Sequence, residues 1–484
     1  MKLSTGTLVR VLLAALIFPA MAHAAQEIWL APRDDGNPGR GTQAEPYDVG
    51  TRQKFDDLLH GYYKANTTDL IFHLAPGTYY TMGEAGGWRC LSNWRFHGAG
   101  MDLSVIKLTG WYYDPSNGKN GRNTAIKVQQ AFKTGIAVTD LTIDCSWLDF
   151  GSRLAGSFTV PPPGQTVSVP VLSSTWAATG KNAYLQRMDD YSVIGLYEVT
   201  AVPDSTHVTL RNTGKKEESM RTGTKVSGPV YVGPAVNTCG IDIGAKDCDV
   251  ERVRVTDTGT PVYEGPLGIV IDHINFKDSQ FAYADGNVIR QCLIDNVWGS
   301  HGWCITVLSN NPTIQNGTFI SAIVEDNVIR SNGKHQGLAS WGTANSIWTN
   351  NIVMDCSTGW FVDVGFNKDD QIVNNSFIGG GGIQLGGGYV NGWLRFNISG
   401  NHIVIGKTGR GILFNGEVHQ TVFSNNQIIA PHGGHGDGIT VNPKATDGVI
   451  ISNNLVTGSL INIIPTGTCF HNVTETGAPI TIRK

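Results

Sequence analysis

Asn350-Asn351-Ile352-Val353, Asn374-Asn375-Ser376-Phe377 and Asn425-Asn426-Gln427-Ile428 are one pattern written three times. Gly286-Asn287-Val288-Ile289, Asp326-Asn327-Val328-Ile329, Gly400-Asn401-His402-Ile403 and Asn453-Asn454-Leu455-Val456 repeat it. From Asn327 onward the second residue of the pattern recurs after 24, 24, 26, 25 and 28 residues. Self-similarity at this period marks a repeat architecture. A second element keeps step with the first: Gly240-Ile241-Asp242-Ile243, Gly268-Ile269-Val270-Ile271, Gly302-Trp303-Cys304-Ile305, Gly359-Trp360-Phe361-Val362, Gly382-Ile383-Gln384-Leu385, Gly411-Ile412-Leu413-Phe414 and Gly438-Ile439-Thr440-Val441.

Each period therefore holds short alternating strands, and alternation puts one side of every strand in a core and the other outside. One such unit cannot bury its apolar face alone, but a stack of them can. The expected fold is all-β, a right-handed parallel β-helix, with the hand set by the chirality of parallel crossovers. A leucine-rich repeat would need regularly spaced leucines, and they are missing. The repeated asparagine suits an internal ladder in which each amide bonds the rungs above and below. Cys145, Cys292 and Cys356 are read as one inward repeat position holding small buried hydrophobes.

The rung order resembles that of the pectin-lyase-like superfamily, and the resemblance covers most of the chain. It extends to Asp35-Gly36-Asn37-Pro38-Gly39 and Pro46-Tyr47-Asp48, and to a capping helix within Asp48 to Ala65. Ile71-Phe72-His73-Leu74-Ala75-Pro76-Gly77-Thr78-Tyr79 resembles a first rung, and His97-Gly98-Ala99-Gly100 before Ser104-Val105-Ile106-Lys107-Leu108 a second. Between residues 153 and 236 the composition changes to short strands with turn residues, an inserted module similar to small β-barrels of phage tail proteins. It either holds a sugar or walls one end of a cleft. The expected divisions are 1–24, a signal peptide; 25–69, the cap; 70–152, first rungs; 153–236, the insert; and 237–484, the main solenoid.

The signal reading rests on Lys2 and Arg10, the apolar run Val11 to Met21, and Ala22-His23-Ala24 as the cleavage site, and it implies export. The run is too short to span a bilayer. With 36 Lys and Arg against 40 Asp and Glu, a net charge of −4 and no basic block, nucleic acid and anionic membrane are excluded as partners. Eight cysteines in an exported chain permit disulfides without requiring them.

The resemblance implies that a chain-like substrate lies along the outer face of the sheet built from the Gly-Ile-x-Val strands. Inward positions are Ile241, Ile243, Ile269, Ile271, Trp303 and Ile305; outward ones are Asp242, Val270, Asp272, Thr306, Trp341, Asp363, Gln384 and Asn415. Flanking loops add Tyr263, Glu264, His273, Lys277, His301, His335 and Glu417. Asp242 and Asp272 fall on successive rungs two residues out of line, which sets their carboxylates roughly 8 Å apart. That spacing suits an inverting hydrolase, with one acid for the leaving oxygen and one base for water. His301 opens the next rung and would orient the acid. Gly299-Ser300-His301-Gly302 resembles the Gly-His-Gly of polygalacturonases, although the paired aspartates and Arg-x-Lys of that family are absent. Substrate contacts are expected from Trp341, by stacking, and from Asp363, Tyr263, Glu264, Lys277, Gln384, Asn415 and Glu417.

Lone loop histidines (His301, His335, His432, His435) default to solvated groups, and Lys368-Asp369-Asp370 to a solvated turn. His432 to Asp437 matches no zinc spacing. The leading expectation is an enzyme that hydrolyses glycosidic bonds of a polysaccharide without cofactor. One alternative is a Ca²⁺-dependent lyase, with Asp242, Asp272 and Asp363 on the metal and Lys277 or His301 as base. The other is a polysaccharide-binding adhesin with no chemistry.

Overall fold

The computed structural model describes residues 24–111, 122–128, 133–214, 221–260, 265–273, 284–299, 302–309, 319–362, 367–385, 393–407, 409–414, 418–430, 438–441, 446–457, 461–462, 468–474, 477–479 and 482–483. The expected signal segment lies outside them, up to residue 23.

Three strands per rung, each hydrogen-bonded in parallel to its counterpart one turn on, build a right-handed parallel β-helix. The first column of strands forms an eleven-stranded parallel sheet, here sheet 1, running from Arg122–Val128 and Asn237–Ile243 to Ile482–Arg483. The second column includes Asn287–Arg290, Ala322–Glu325, Ile347–Thr349 and Gln371–Val373. The third includes Leu293–Ile294, Val328–Arg330, Ile352–Met354 and Ser376–Ile378. The inward residues of all three columns form one continuous core from Ile28 to Val456.

The asparagine pairs are a division of labour at the bend between second and third strands. The first residue is left-handed in backbone: Asp326, Asn350, Asn374, Asn425 and Asn453 have φ between 55° and 58°. Asparagine and aspartate tolerate that region better than other side chains, and Gly400 takes it without cost. The second residue points in. Asn327, Asn351, Asn375, Asn401, Asn426 and Asn454 are all at most 1 % exposed. Each Nδ2 donates to the next Oδ1 at 2.9–3.1 Å, and the ladder ends on Asn472. The same Oδ1 also accepts the backbone N–H of the asparagine before it.

Two sequence readings need correction. Asn287 does not join this ladder: it opens a second-column strand and bonds the Cys248 N–H at the preceding bend. Cys292 stands in the ladder's place on that rung, its N–H donating to Asn327 Oδ1. Cys145 and Cys356 instead follow third-column strands, so the three cysteines do not share one repeat position. All three are free, buried thiols, as small hydrophobes would be.

The amphipathic segment forms the helix Arg52–Lys64, capped by the Thr51 hydroxyl accepting from the Lys54 N–H. Phe55 and Leu59 close the core at this end. The buried Asp56 accepts from the Thr81 hydroxyl, the Met82 N–H and the Trp88 indole.

After Phe150 the chain leaves the solenoid for a six-stranded antiparallel sheet and a two-stranded one, with a separate core around Val169, Leu185, Val199 and Leu210. Its first strand, Ser152–Arg153, pairs with its last, Val230–Pro234, so the insert begins and ends side by side. Trp147 joins it to the rungs: its ring stacks on Tyr231 at 4.3 Å and its indole donates to the Val236 carbonyl.

Candidate functional site

Sheet 1 places one outward residue per rung in a straight line. Lys127, Asp242, Val270, Thr306, Ala339, Phe361, Gln384, Leu413 and Thr440 pair in register, each with the next. Strands are about 4.8 Å apart, so Asp242 and Gln384, five steps apart, are about 24 Å from one another.

The charged end of the line is built from three elements. Asp242 is fully buried, and Lys127 and Glu84 nearly so. Lys127 Nζ lies 2.7 Å from Glu84 Oε1, 2.8 Å from Oε2 and 4.0 Å from Asp242 Oδ2. Arg89 donates to Glu84 at 3.1 Å from the rim. Removing so many charges from water is expensive and makes a weak argument for stability. It is a pattern that functional sites show. An ion-paired carboxylate there can accept a proton or steady positive charge.

The expected offset of Asp272 is present in the backbone: Val270 faces Asp242, and Asp272, two residues on, pairs with Leu308. The Asp272 and His273 side chains, together with His301, Tyr263, Glu264, Lys277, Asp363, Asn415, Glu417, His432 and His435, lie outside what is described. Among the described site candidates, Asp242, Trp341 and Gln384 share the outer face without converging on one point.

The middle of the face is apolar. Cys239, Val270 and Leu308 cluster with Trp341 against them. Trp341 is half-buried, held edge-on by Trp303 at 4.6 Å. Trp303 therefore flanks the outer face and is no core residue, contrary to its alternation; the register slips between Pro266 and Ile269 on the neighbouring strand. Toward the other end an open pocket of about 240 Å³ is lined by Gln384, Thr358, Ser357 and Arg410.

Two groups read as solvated are buried. His335 is fully enclosed, its Nδ1 within 3.0–3.1 Å of Asn332 and Ser331. Asp370 is likewise enclosed, accepting from the Ser346 N–H and the Thr343 hydroxyl, and burial pushes its carboxyl up to about 7. In the same turn Asp369 pairs with Arg395, and Lys368 sits over the Phe319 ring.

Sequence reading missed Lys127, Glu84, Arg89 and Arg410. Lys127 was within reach, because Ile126-Lys127-Val128 is the same apolar-x-apolar strand as Ile241-Asp242-Ile243 one rung on. Glu84 sits in the short 3₁₀ turn Gly83–Gly86, which carries no periodic signal.

The insert also reaches the rungs. Gln186 exchanges two buried hydrogen bonds with the Gly299 backbone, at 3.0 and 3.1 Å. Gly299 has φ 97° and a Cβ there would strike the Thr260 carbonyl, so the residue must be glycine. At this joint burial, and then Asp144, push the Asp257 carboxyl up to about 7. Among the described residues no cluster could hold a metal ion, and no helix is long and apolar enough to cross a membrane.

No protein-family model and no curated protein matches the chain. Solved structures do resemble it in fold. An exopolygalacturonase of Thermotoga maritima is 10 % identical with a TM-score of 0.47, covering 93 % of both chains. A mannuronan C-5 epimerase A-module of Azotobacter vinelandii is 12 % identical with a TM-score of 0.45, covering 92 % of this chain and 95 % of its own. A surface adhesin of Streptococcus pneumoniae is 11 % identical with a TM-score of 0.45, covering 92 % and 89 %. Likeness at this level is architectural and names no activity. By its columns of parallel strands, its bends and its ladder, the chain is a right-handed parallel β-helix.

Proposed function

We propose that this protein is an exported carbohydrate-active enzyme that binds a polysaccharide along the outer face of sheet 1 and hydrolyses it near Asp242. The observation that carries the reading is the buried, ion-paired Asp242 on an outward position, one residue pair away from the line of Asp272. Asp242 serves as the base that takes a proton from water, Asp272 as the acid for the leaving oxygen, and His301 orients the acid. Trp341 supplies an apolar ring for a pyranose face. No cofactor enters this scheme.

A second reading, binding without chemistry, is favoured by one observation: Asp242 is wholly covered and the open pocket lies near Gln384. A panel of polysaccharides assayed for new reducing ends and for unsaturated products separates the readings. Asp242→Asn should keep binding while lowering turnover roughly 10²-fold or more. Unchanged turnover in that variant sinks the catalytic assignment. Binding with no products on any polysaccharide leaves the adhesin. Unsaturated ends, lost on chelation and restored by Ca²⁺, would replace hydrolysis by the lyase mechanism.

A further inference from the structure

Three closely packed glycines line the pocket at the far end of the outer face. A Cβ on Gly409 would come within 2.1 Å of the Gly380 carbonyl, one on Gly382 within 2.3 Å of the Gly411 carbonyl, and one on Gly381 within 2.7 Å of the Ser357 carbonyl. Ile383 and Leu413 join the glycines in the lining, and the polar character comes from the few other side chains around it. Thr358 and Ser357 stand on one rung, Gln384 on the next, and Arg410 on the loop leading into the third. Arg410 is exposed at the side chain but fixed at the backbone, its carbonyl accepting the Gly382 N–H at 2.8 Å. Among the described residues no carboxylate pairs with its guanidinium, and the Gln384 amide makes no hydrogen bond.

A cavity with a guanidinium fork, an amide and hydroxyls, and no carboxylate among its lining residues, is complementary to a planar or tetrahedral anion flanked by hydroxyls. We infer that this pocket is a specificity subsite for an anionic substituent of the glycan, a carboxylate or a sulfate ester, with Arg410 as the charge reader and Gln384 as its neutral partner. The inference rests on the reading that a polysaccharide lies along this face. It adds that the sugar recognised here is about 24 Å from the one beside Asp242, so selection and chemistry are performed by different rungs. Arg410 touches the glycan but not the bond being broken, which makes it a specificity residue and no catalytic one.

The test uses the full-length protein and four polymers: a polyuronate, its carboxyl-reduced form, a sulfated galactan and a neutral glucan. Binding is measured by affinity electrophoresis at low and raised salt, with turnover followed on any polymer that is cut. One or both anionic polymers should bind better than their neutral counterparts, and the preference should fade with salt. Arg410→Ala should weaken the favoured polymer roughly 10- to 100-fold, the scale of a charge-assisted hydrogen bond, and leave neutral binding alone. Arg410→Lys should restore part of the loss. Preference for the polyuronate over its reduced form assigns a carboxylate, and preference for the galactan alone assigns a sulfate. If neutral glucan binds as well as the anionic polymers, or if Arg410→Ala changes nothing, the subsite is refuted while the reading of the face survives. If no polymer binds the intact protein, both fall together.

Discussion

Replacing Asn375 by Ala removes the middle of the ladder, and the structure says what is lost. The Asn375 Oδ1 accepts the Asn351 N–H at 3.0 Å and its side-chain amide at 2.9 Å. The Asn375 amide donates to the Trp348 carbonyl at 2.9 Å and to Asn401 Oδ1 at 3.1 Å. Asn351 keeps a bond to the Val324 carbonyl, and Asn401 keeps the Asn375 N–H. The Asn351 N–H and the Trp348 carbonyl have no such reserve in the side chains around them. Each buried polar group left without its partner costs about 1–3 kcal/mol, and the void adds to that. For these two groups the expected loss is therefore roughly 2–6 kcal/mol. Guanidinium unfolding measures the total, and hydrogen exchange places it: protection should fall at Asn351 and its neighbours while the rung at Phe96 stays protected. His402→Ala is the control, since His402 is an outward residue of an adjacent rung whose side chain pairs with Gln427, and it should change stability by less than about 0.5 kcal/mol. A loss as small for Asn375→Ala, with Asn351 still protected, would refute the ladder as a source of stability.

Asn374→Ala should destabilise by about 1–2 kcal/mol because φ there is 58°, whereas Asn374→Gly should be close to neutral; equal melting of the two variants would remove backbone strain as the cause. Asp257 and Asp370 titrate near 7 in the folded chain against 3.8 ordinarily, so the fold holds extra protons between those values and stability should fall as pH rises from about 4 through 7. Asp257→Asn should flatten that fall, and a melting profile with the wild-type slope would contradict it. Bridging out residues 153–236 should leave a cooperative melt, because none of the described residues between Phe150 and Ile241 belongs to the solenoid core. That melt should come at a lower temperature, because Trp147 loses Tyr231, and a chain that no longer folds would show the insert to be integral.

Fold was legible in this sequence because a solenoid writes its packing into its period. Val353, Phe377, Ile403 and Ile428 are core residues, and the asparagine before each strand is a ladder rung, as the repeat implies. The errors came where two bends look alike. Gly286-Asn287 and Asp326-Asn327 share residues and differ in which strand follows, a distinction that only register makes. Burial of single polar residues was also invisible: nothing in Lys368-Asp369-Asp370 says that the third residue turns inward to cap Ser346. At the site, alternation placed Asp242 and Gln384 on the right face. The partners Glu84 and Arg410 come from turns, where no period operates, and distance in space bears no relation to distance along the chain.

The ladder and the strand pairs all run along the solenoid axis, linking each rung only to its neighbours. Pulled apart from its two ends, such a body carries load through rungs in series, and the outermost rung bears it first. Each turn of about 25 residues would then detach as a unit, lengthening the chain by roughly 80 Å while the rest stays folded. A molecule made this way yields stepwise under tension and keeps its remaining binding face in register, a useful property for anything that holds a long polymer against flow.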